Sequence, residues 1–167
     1  LAKAQSLAGQ LQQADQNLQS LTDSINQSIG DEVQSANQLL RQIADFNAKI
    51  ARAELGQPGS ANDLRDARRL SLEELSSLLR VDASEDSQGQ LQVAVGGVLL
   101  VEGEQGAETL QTRDAGAGNL EVLAGSSGIS LPLTGGRLHG LTEVRDQEIA
   151  SLRGSLDSLA GHPRAGR

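Results

Sequence analysis

Few residues of this chain have the types and spacing for chemistry. His139 and His162 stand 23 residues apart, without the neighbouring carboxylates that metal-binding helices supply, and a general base needs a proton within hydrogen-bond reach. The pattern predicts one surface histidine near a helix start and another in a tail. Arg65, Arg68 and Arg69 form a basic patch with Asp63 and Asp66 within one turn, which predicts i,i+3 pairing on a solvated helix face. Glu73 and Glu74 are adjacent, so on a helix they do not face each other. Gly96-Gly97, Gly103 and Gly106 lack the Gly-Lys-Ser/Thr end of a phosphate loop. Gly125-Ser126-Ser127-Gly128 lacks the Gly-x-Ser-x-Gly of a nucleophile elbow. No group meets the role-and-geometry requirements of an active site. The reading is no enzyme, no cofactor and no metal.

Arg145-Asp146 is the charged pair that stands out, because Arg145 interrupts an apolar seam. Either it is a buried anchor that fixes helix register, or the seam shifts to Val144 and Arg145 lies at the edge with its stem packed down.

Composition narrows the function classes further. The chain has 167 residues, a net charge of −8, one Phe, and no Cys, Met, Trp or Tyr. Without cysteine there is no disulfide framework, and without aromatics there is little to line a ligand pocket or stack bases. Between Val81 and Thr134 eight acids oppose the single base Arg113, a local charge of −7 that leaves −1 for the rest. An acidic middle repels nucleic acid and anionic membrane alike. No apolar run approaches 18 residues, and Leu1 opens no basic-then-apolar signal.

The elements that must position these groups begin with Leu1 to Leu55. Ala4, Leu7, Leu11, Ala14, Leu18, Leu21 and Ile25 alternate steps of three and four; Ile29, Val33, Ala36, Leu40, Ile43 and Ile50 continue the stripe. Such spacing makes the seam of a coiled coil or long bundle, on the order of 80 Å long. Gly56-Gln57-Pro58-Gly59 ends it. Ser60 reads as an N-cap for a second helix over 61–79, with Leu64, Ala67, Leu72, Leu75 and Leu78 or Leu79 inward, folded back antiparallel.

From Val81 the period becomes two. Strands are expected at Val81/Ala83, 91–95, 98–101, 108–112, 119–123 and 129–133, with Gly96-Gly97 as a hairpin turn. A third helix runs from Gly136 or Arg137 to Ala160, with Leu138, Leu141, Ile149, Leu152, Leu156 and Leu159 at three-four spacing. The expected class is α+β. An elongated antiparallel bundle of three long helices carries a small antiparallel β domain, inserted between the second and third helices and projecting from one end. The divisions are 1–80 (helical rod), 81–134 (acidic β insertion), 135–160 (third helix) and 161–167 (tail).

Three blocks carry a resemblance: Gln42-Ile43-Ala44-Asp45-Phe46-Asn47-Ala48-Lys49-Ile50 with the Gly56-Gln57-Pro58 turn; Ala61-Asn62-Asp63-Leu64-Arg65-Asp66 with Arg68 and Glu74-Leu75-Ser76; and Gly135-Gly136-Arg137-Leu138-His139-Gly140-Leu141 with Arg145-Asp146. In order and spacing they resemble the flagellar hook-associated protein 1 family, over nearly the whole chain. The family's N-terminal Asn-Ile-Ala-Asn block and the C-terminal helix that pairs with it have no counterpart, so the resemblance implies an internal fragment. It implies a structural subunit of the bacterial flagellum, extracellular, exported by the flagellar type III apparatus without a cleaved signal peptide. The partners implied are other copies of itself in a ring, the flagellar hook protein and the second junction protein, with an export chaperone engaging the missing termini; nucleic acid and membrane are not among them. The residues assigned to structural contact are Leu11, Leu18, Leu21, Ile25, Ile43, Phe46, Ile50, Asn62, Asp63, Leu64, Leu138, Leu141, Arg145 and Asp146. A competing reading is a coiled-coil phage-tail or adhesin-like binding module, whose rod would not fold back.

Overall fold

The computed structural model describes residues 2–56, 59–116, 118–125 and 127–161. Gln57 and Pro58 of the expected turn, Ser126, and the tail with His162 lie outside the described residues. Helix α1, Ala2–Ala53, has 52 residues and runs unbroken through Gly30. The glycine costs backbone entropy there, but helix continues on both sides of it. Helix α2, Asn62–Leu78, lies antiparallel along the end of α1. It begins one residue later than expected and Ser60 does not cap it. The N-cap position is Ala61, without a side-chain cap, and the Ala61 N–H donates to the Glu54 carboxylate instead. Helix α2 stops at Leu78 because Leu79 is extended and the alternating segment after it favours strand.

Six short strands come next: β1 Asp82–Glu85, β2 Leu91–Val95, β3 Val98–Glu102, β4 Leu110–Asp114, β5 Leu120–Ala124 and β6 Ile129–Ser130. They form two separate antiparallel sheets, β1-β2-β3 and β4-β5-β6, where one β domain was expected. Gly96 and Gly97 both have positive φ and join β2 to β3 with Val95 opposite Val98, as a two-residue hairpin requires. At the other end of β3, Gly103 and Gly106 also take positive φ, and the chain turns out of the first sheet towards β4.

The third helical stretch starts at Gly136, whose φ of 79° and closeness to the Leu78 carbonyl leave no room for a Cβ. That is the physical reason for glycine at this point of the Gly135-Gly136 block. The stretch is α3 Gly136–Glu143, a π-helical segment Val144–Ile149, and α4 Ala150–Gly161. The expectation of three long helices is therefore corrected. One helix is long, the second has 17 residues, and the third changes its pitch midway.

One hydrophobic cluster joins Ile29, Leu40 and Ile43 of α1 to Leu75 of α2, Val93 and Val101 of the first sheet, Val122 of the second, and Leu138 and Ile149. The sheets lie along the side of α1 and not beyond its end, since Asn47 bonds to Leu91, Asn37 to Leu110 and Asn26 to Gly118. That placement differs from a β domain projecting from the rod. Half-buried sheets of three strands need a helix to cover their apolar face, and α1 supplies it.

Candidate functional site

Three asparagines of α1 fasten the sheets. Asn26, Asn37 and Asn47 are 11 and 10 residues apart, about three helical turns each, so they share one side. Asn37 donates to the Leu110 carbonyl at 2.9 Å and accepts from the Leu110 N–H at 2.7 Å, pairing with that residue as a neighbouring strand would. Asn47 does the same with Leu91, donating at 2.8 Å and accepting at 3.1 Å, and donates again to Gly103 O at 2.9 Å. Its oxygen also accepts from Arg68 Nη1 at 2.7 Å. A buried amide with both ends satisfied carries no desolvation penalty of the kind an orphan would.

Arg68 completes this first clamp. It is 3% exposed, donates to the Gly89 carbonyl at 2.9 Å and pairs with the Glu85 carboxylate. The expected i,i+3 pairing holds for Arg69 with Asp66, Arg69 also reaching Glu73; it is corrected for Arg65, which pairs with Glu54 of α1, and for Arg68, which lies under the first sheet. Burial pulls the Arg68 pKa below the ordinary guanidinium value while Glu85 opposes that shift; a guanidinium stays charged regardless. Arg65 turns to Glu54 at 2.9 Å. That guanidinium is the largest cause holding Glu54 at about 2, with help from the Gly59 and Ala61 N–H groups, and Glu54 in turn raises Arg65.

A second clamp mirrors the first on the other sheet. Arg145, 5% exposed, donates to Asn26 Oδ1 at 2.9 Å and to the Leu120 carbonyl at 2.8 Å. Asp146 takes its Nε and Nη2 at 2.7 and 3.0 Å, the bidentate fork that suits arginine. Val144 is exposed, so the seam does not shift to it.

Beyond Arg145 the helix faces differently from its sequence pattern. In unbroken α geometry Leu138, Leu141, Arg145, Ile149, Leu152 and Leu156 would share a face. The π segment has more residues per turn and rotates the face that α4 presents to α1. Arg153 and Leu156 are half-buried against α1, with Arg153 Nη2 donating to Gln19 at 2.7 Å. Leu152 and Leu159 face solvent. On α1, Leu11 and Leu18 are half-buried and Leu7 and Leu21 exposed. These four exposed leucines are between 46% and 66% accessible. The far end of the molecule is thus a two-helix ribbon whose apolar seam is open.

The other contact residues divide by burial. Ile25, Ile43, Ile50 and Leu138 are buried; Leu64 and Leu141 are half-buried; Asn62, Asp63 and Asp146 are exposed. Phe46 is half-buried, with Lys49 Nζ 5.5 Å from its ring centroid. His139 is partly exposed beside Glu143 at 3.8 Å. Among the described residues no group of three His, Cys, Asp or Glu side chains is placed to hold a metal, and no described helix is long and apolar enough to cross a membrane. The sequence reading missed Asn26, Asn37 and Glu54 and misplaced Arg68. Its available signal was the recurrence of Asn at three-turn intervals on the buried side of a helix.

Comparison with known proteins gives a consistent result. Residues 1–162 match the family model described as the flagellar hook-associated protein FlgK helical domain. Flagellar hook-associated protein 1 of Salmonella typhimurium (strain LT2) is 29% identical over 175 residues, covering 96% of this chain and 31% of that protein. The Escherichia coli K12 protein of the same name is 29% identical over 169 residues with the same coverage. The structure of the flagellar hook junction protein FlgK from Burkholderia pseudomallei superposes with a TM-score of 0.84 at 34% identity, over 95% of this chain and 30% of that one. The chain spans 31% of the length of these curated relatives.

Proposed function

The chain belongs to the flagellar hook-associated protein FlgK helical-domain family, and from that premise we propose that it is the helical part of a structural subunit of the hook–filament junction. Its work is mechanical: subunit packs on subunit, and no step requires a catalytic group. The partners are further copies in a ring, the hook protein and the second junction protein, with an export chaperone acting on segments outside this chain. The site of action is the extracellular flagellum, reached without a cleaved signal peptide.

The observation that carries this reading is the open seam of Leu7, Leu21, Leu152 and Leu159. Large apolar side chains left exposed on both helices of one pair offer surface for burial against another subunit. Around it, the division at 1–80, 81–134, 135–160 and 161–167 assigns axial contacts to the helices and the outward face to the acidic strands. Leu11, Leu18, Phe46 and Leu141 border the covered surfaces, while Ile25, Ile43, Ile50, Leu64 and Leu138 hold the rod that presents them. Asn62, Asp63 and Asp146 are polar rim. The adhesin-like alternative is not favoured, because α2 folds back on α1.

The test is Leu21→Arg with Leu152→Arg in the full-length protein, expressed in cells lacking their own copy. The expected result is export of the variant into the medium, no filaments and no swimming. Wild-type filaments on such cells would sink the reading.

A further inference from the structure

The third helical stretch carries two competing sets of instructions. Leu138, Arg145, Ile149, Leu152, Leu156 and Leu159 recur at three-four spacing, which at α pitch puts all six on one face. The fold obeys that spacing as far as Ile149, which is 2% exposed, and then departs from it. Beyond the π segment Arg153 and Leu156 lie against α1, while Leu152 and Leu159 face solvent.

The departure leaves demands unmet on both sides of α4. Two leucines stand in water, and the Arg153 Nε is buried with no hydrogen-bond partner among the described residues, a cost that a solvent-facing guanidinium would not bear. Little holds α4 in this position. None of its described residues is fully buried, and Arg153 reaches α1 through Gln19, an exposed side chain. The residues upstream are fixed. Arg145 is bonded to Asn26, Leu120 and Asp146, so a change of register begins after it.

Such a change needs little movement. Each N–H of the π segment exchanges the carbonyl five residues back for the one four back. Ile149, four residues after Arg145 and so about one turn on, stays inward at either pitch. Everything beyond it turns by about 100°, the angle of one residue. Leu152, seven residues after Arg145, then comes round with Leu156 and Leu159 to the side facing α1, where Leu11, Ala14 and Leu18 are half-buried. Arg153 swings out, and its Nε meets water.

We propose that Val144–Ile149 is a two-position register switch. In the open position the segment keeps its π pitch and Leu152 and Leu159 face out. In the closed position the stretch is α throughout, those leucines pack on α1, and Arg153 stands in solvent. A neighbour that covers the two leucines binds the open position alone and shifts the chain towards it. That use of the switch rests on the structural-subunit reading: closed, a subunit withholds its leucines until another subunit covers them. The two positions themselves are a property of the single chain.

The chain has no cysteine, so nitroxide labels at Gln16→Cys and Ser155→Cys, both exposed positions, report one distance by pulsed dipolar spectroscopy. Residue 155 points away from α1 in the open position and comes to its flank in the closed one, so the closed distance is the shorter. Two distances are expected in the otherwise unchanged chain. Leu152→Ser with Leu159→Ser removes what closure buries and should lower the share of the shorter distance by about tenfold or more. Arg153→Leu, which sets a leucine against α1 in the open position, should leave the longer distance alone. A single distance in the unchanged chain overturns the switch, as do two distances whose shares ignore both sets of substitutions. Neither result touches the junction reading, whose failure is seen separately, as wild-type filaments on cells carrying Leu21→Arg with Leu152→Arg.

Discussion

The two halves of α1 are built from the same three-four pattern and end in opposite conditions. From Ile25 to Ile50 the helix is roofed by α2, both sheets and the third helical stretch, and its asparagines Asn26, Asn37 and Asn47 are bonded to what covers them. From Ala2 to Leu21 it runs beside α4, with Gln19 bonded to Arg153, and its leucines are half-buried or exposed. The pattern of a helix states which residues want cover. It does not state whether the cover comes from the same chain. Residues 25–50 belong to a folded core; along residues 2–21 the leucines stay half-buried or exposed.

Substitutions break this comparison in order of size. Arg68→Ala removes the buried guanidinium under the first sheet and leaves the Gly89 carbonyl without that donor, while Asn47 Oδ1 keeps Leu91 N–H and the half-exposed Glu85 keeps Arg65; the expected loss in urea unfolding is about 3 kcal/mol. Leu40→Ala empties a site in the core and costs about 2–5 kcal/mol. Leu7→Ala in the other half stays within about 0.5 kcal/mol, with its effect appearing in assembly. Equal losses from the two leucines would erase the distinction between the halves.

Acid sharpens the same contrast. The Glu54 pKa is lowered from 4.5 to about 2, so the unfolded chain takes up its proton first as the pH drops. The stability it contributes is present above pH 4.5 and is lost between there and about pH 2. Glu54→Gln should flatten that part of a pH titration of the melting temperature. A gain in place of a loss is expected at Gly30, where an added Cβ meets nothing within 4 Å. Gly30→Ala in this unbroken helix should add about 0.5–1 kcal/mol.

Much of the fold was legible because its signals are local. Periodicity placed α1, α2 and the hairpin at Gly96-Gly97, and the Gly135-Gly136 pair marked the start of the third stretch. What was not legible depends on contacts between distant segments. Nothing near Arg68 in the sequence says that Asn47 and Gly89 will surround it, so its i,i+3 neighbours looked like its partners. The split into two sheets was hidden for the same reason, since the contacts that seat each sheet, Asn47 with Leu91 and Asn37 with Leu110, join segments far apart in the chain. The open seam was half legible: the leucines were visible, their exposure was not.

The π segment at Val144–Ile149 acts like a reading-frame shift written into a helix. Upstream of it every third or fourth residue is read by the core; downstream the same spacing is read one position later, by Arg153 in place of Leu152. An insertion is undone by a deletion: removing one residue within 146–148 should return the stretch to α pitch and leave Arg153, then seven positions after Arg145, on the side that faces α1. Leu152 and Leu159 would stay outside, so their exposure is set by the register that the extra residue imposes and would outlast the π pitch itself.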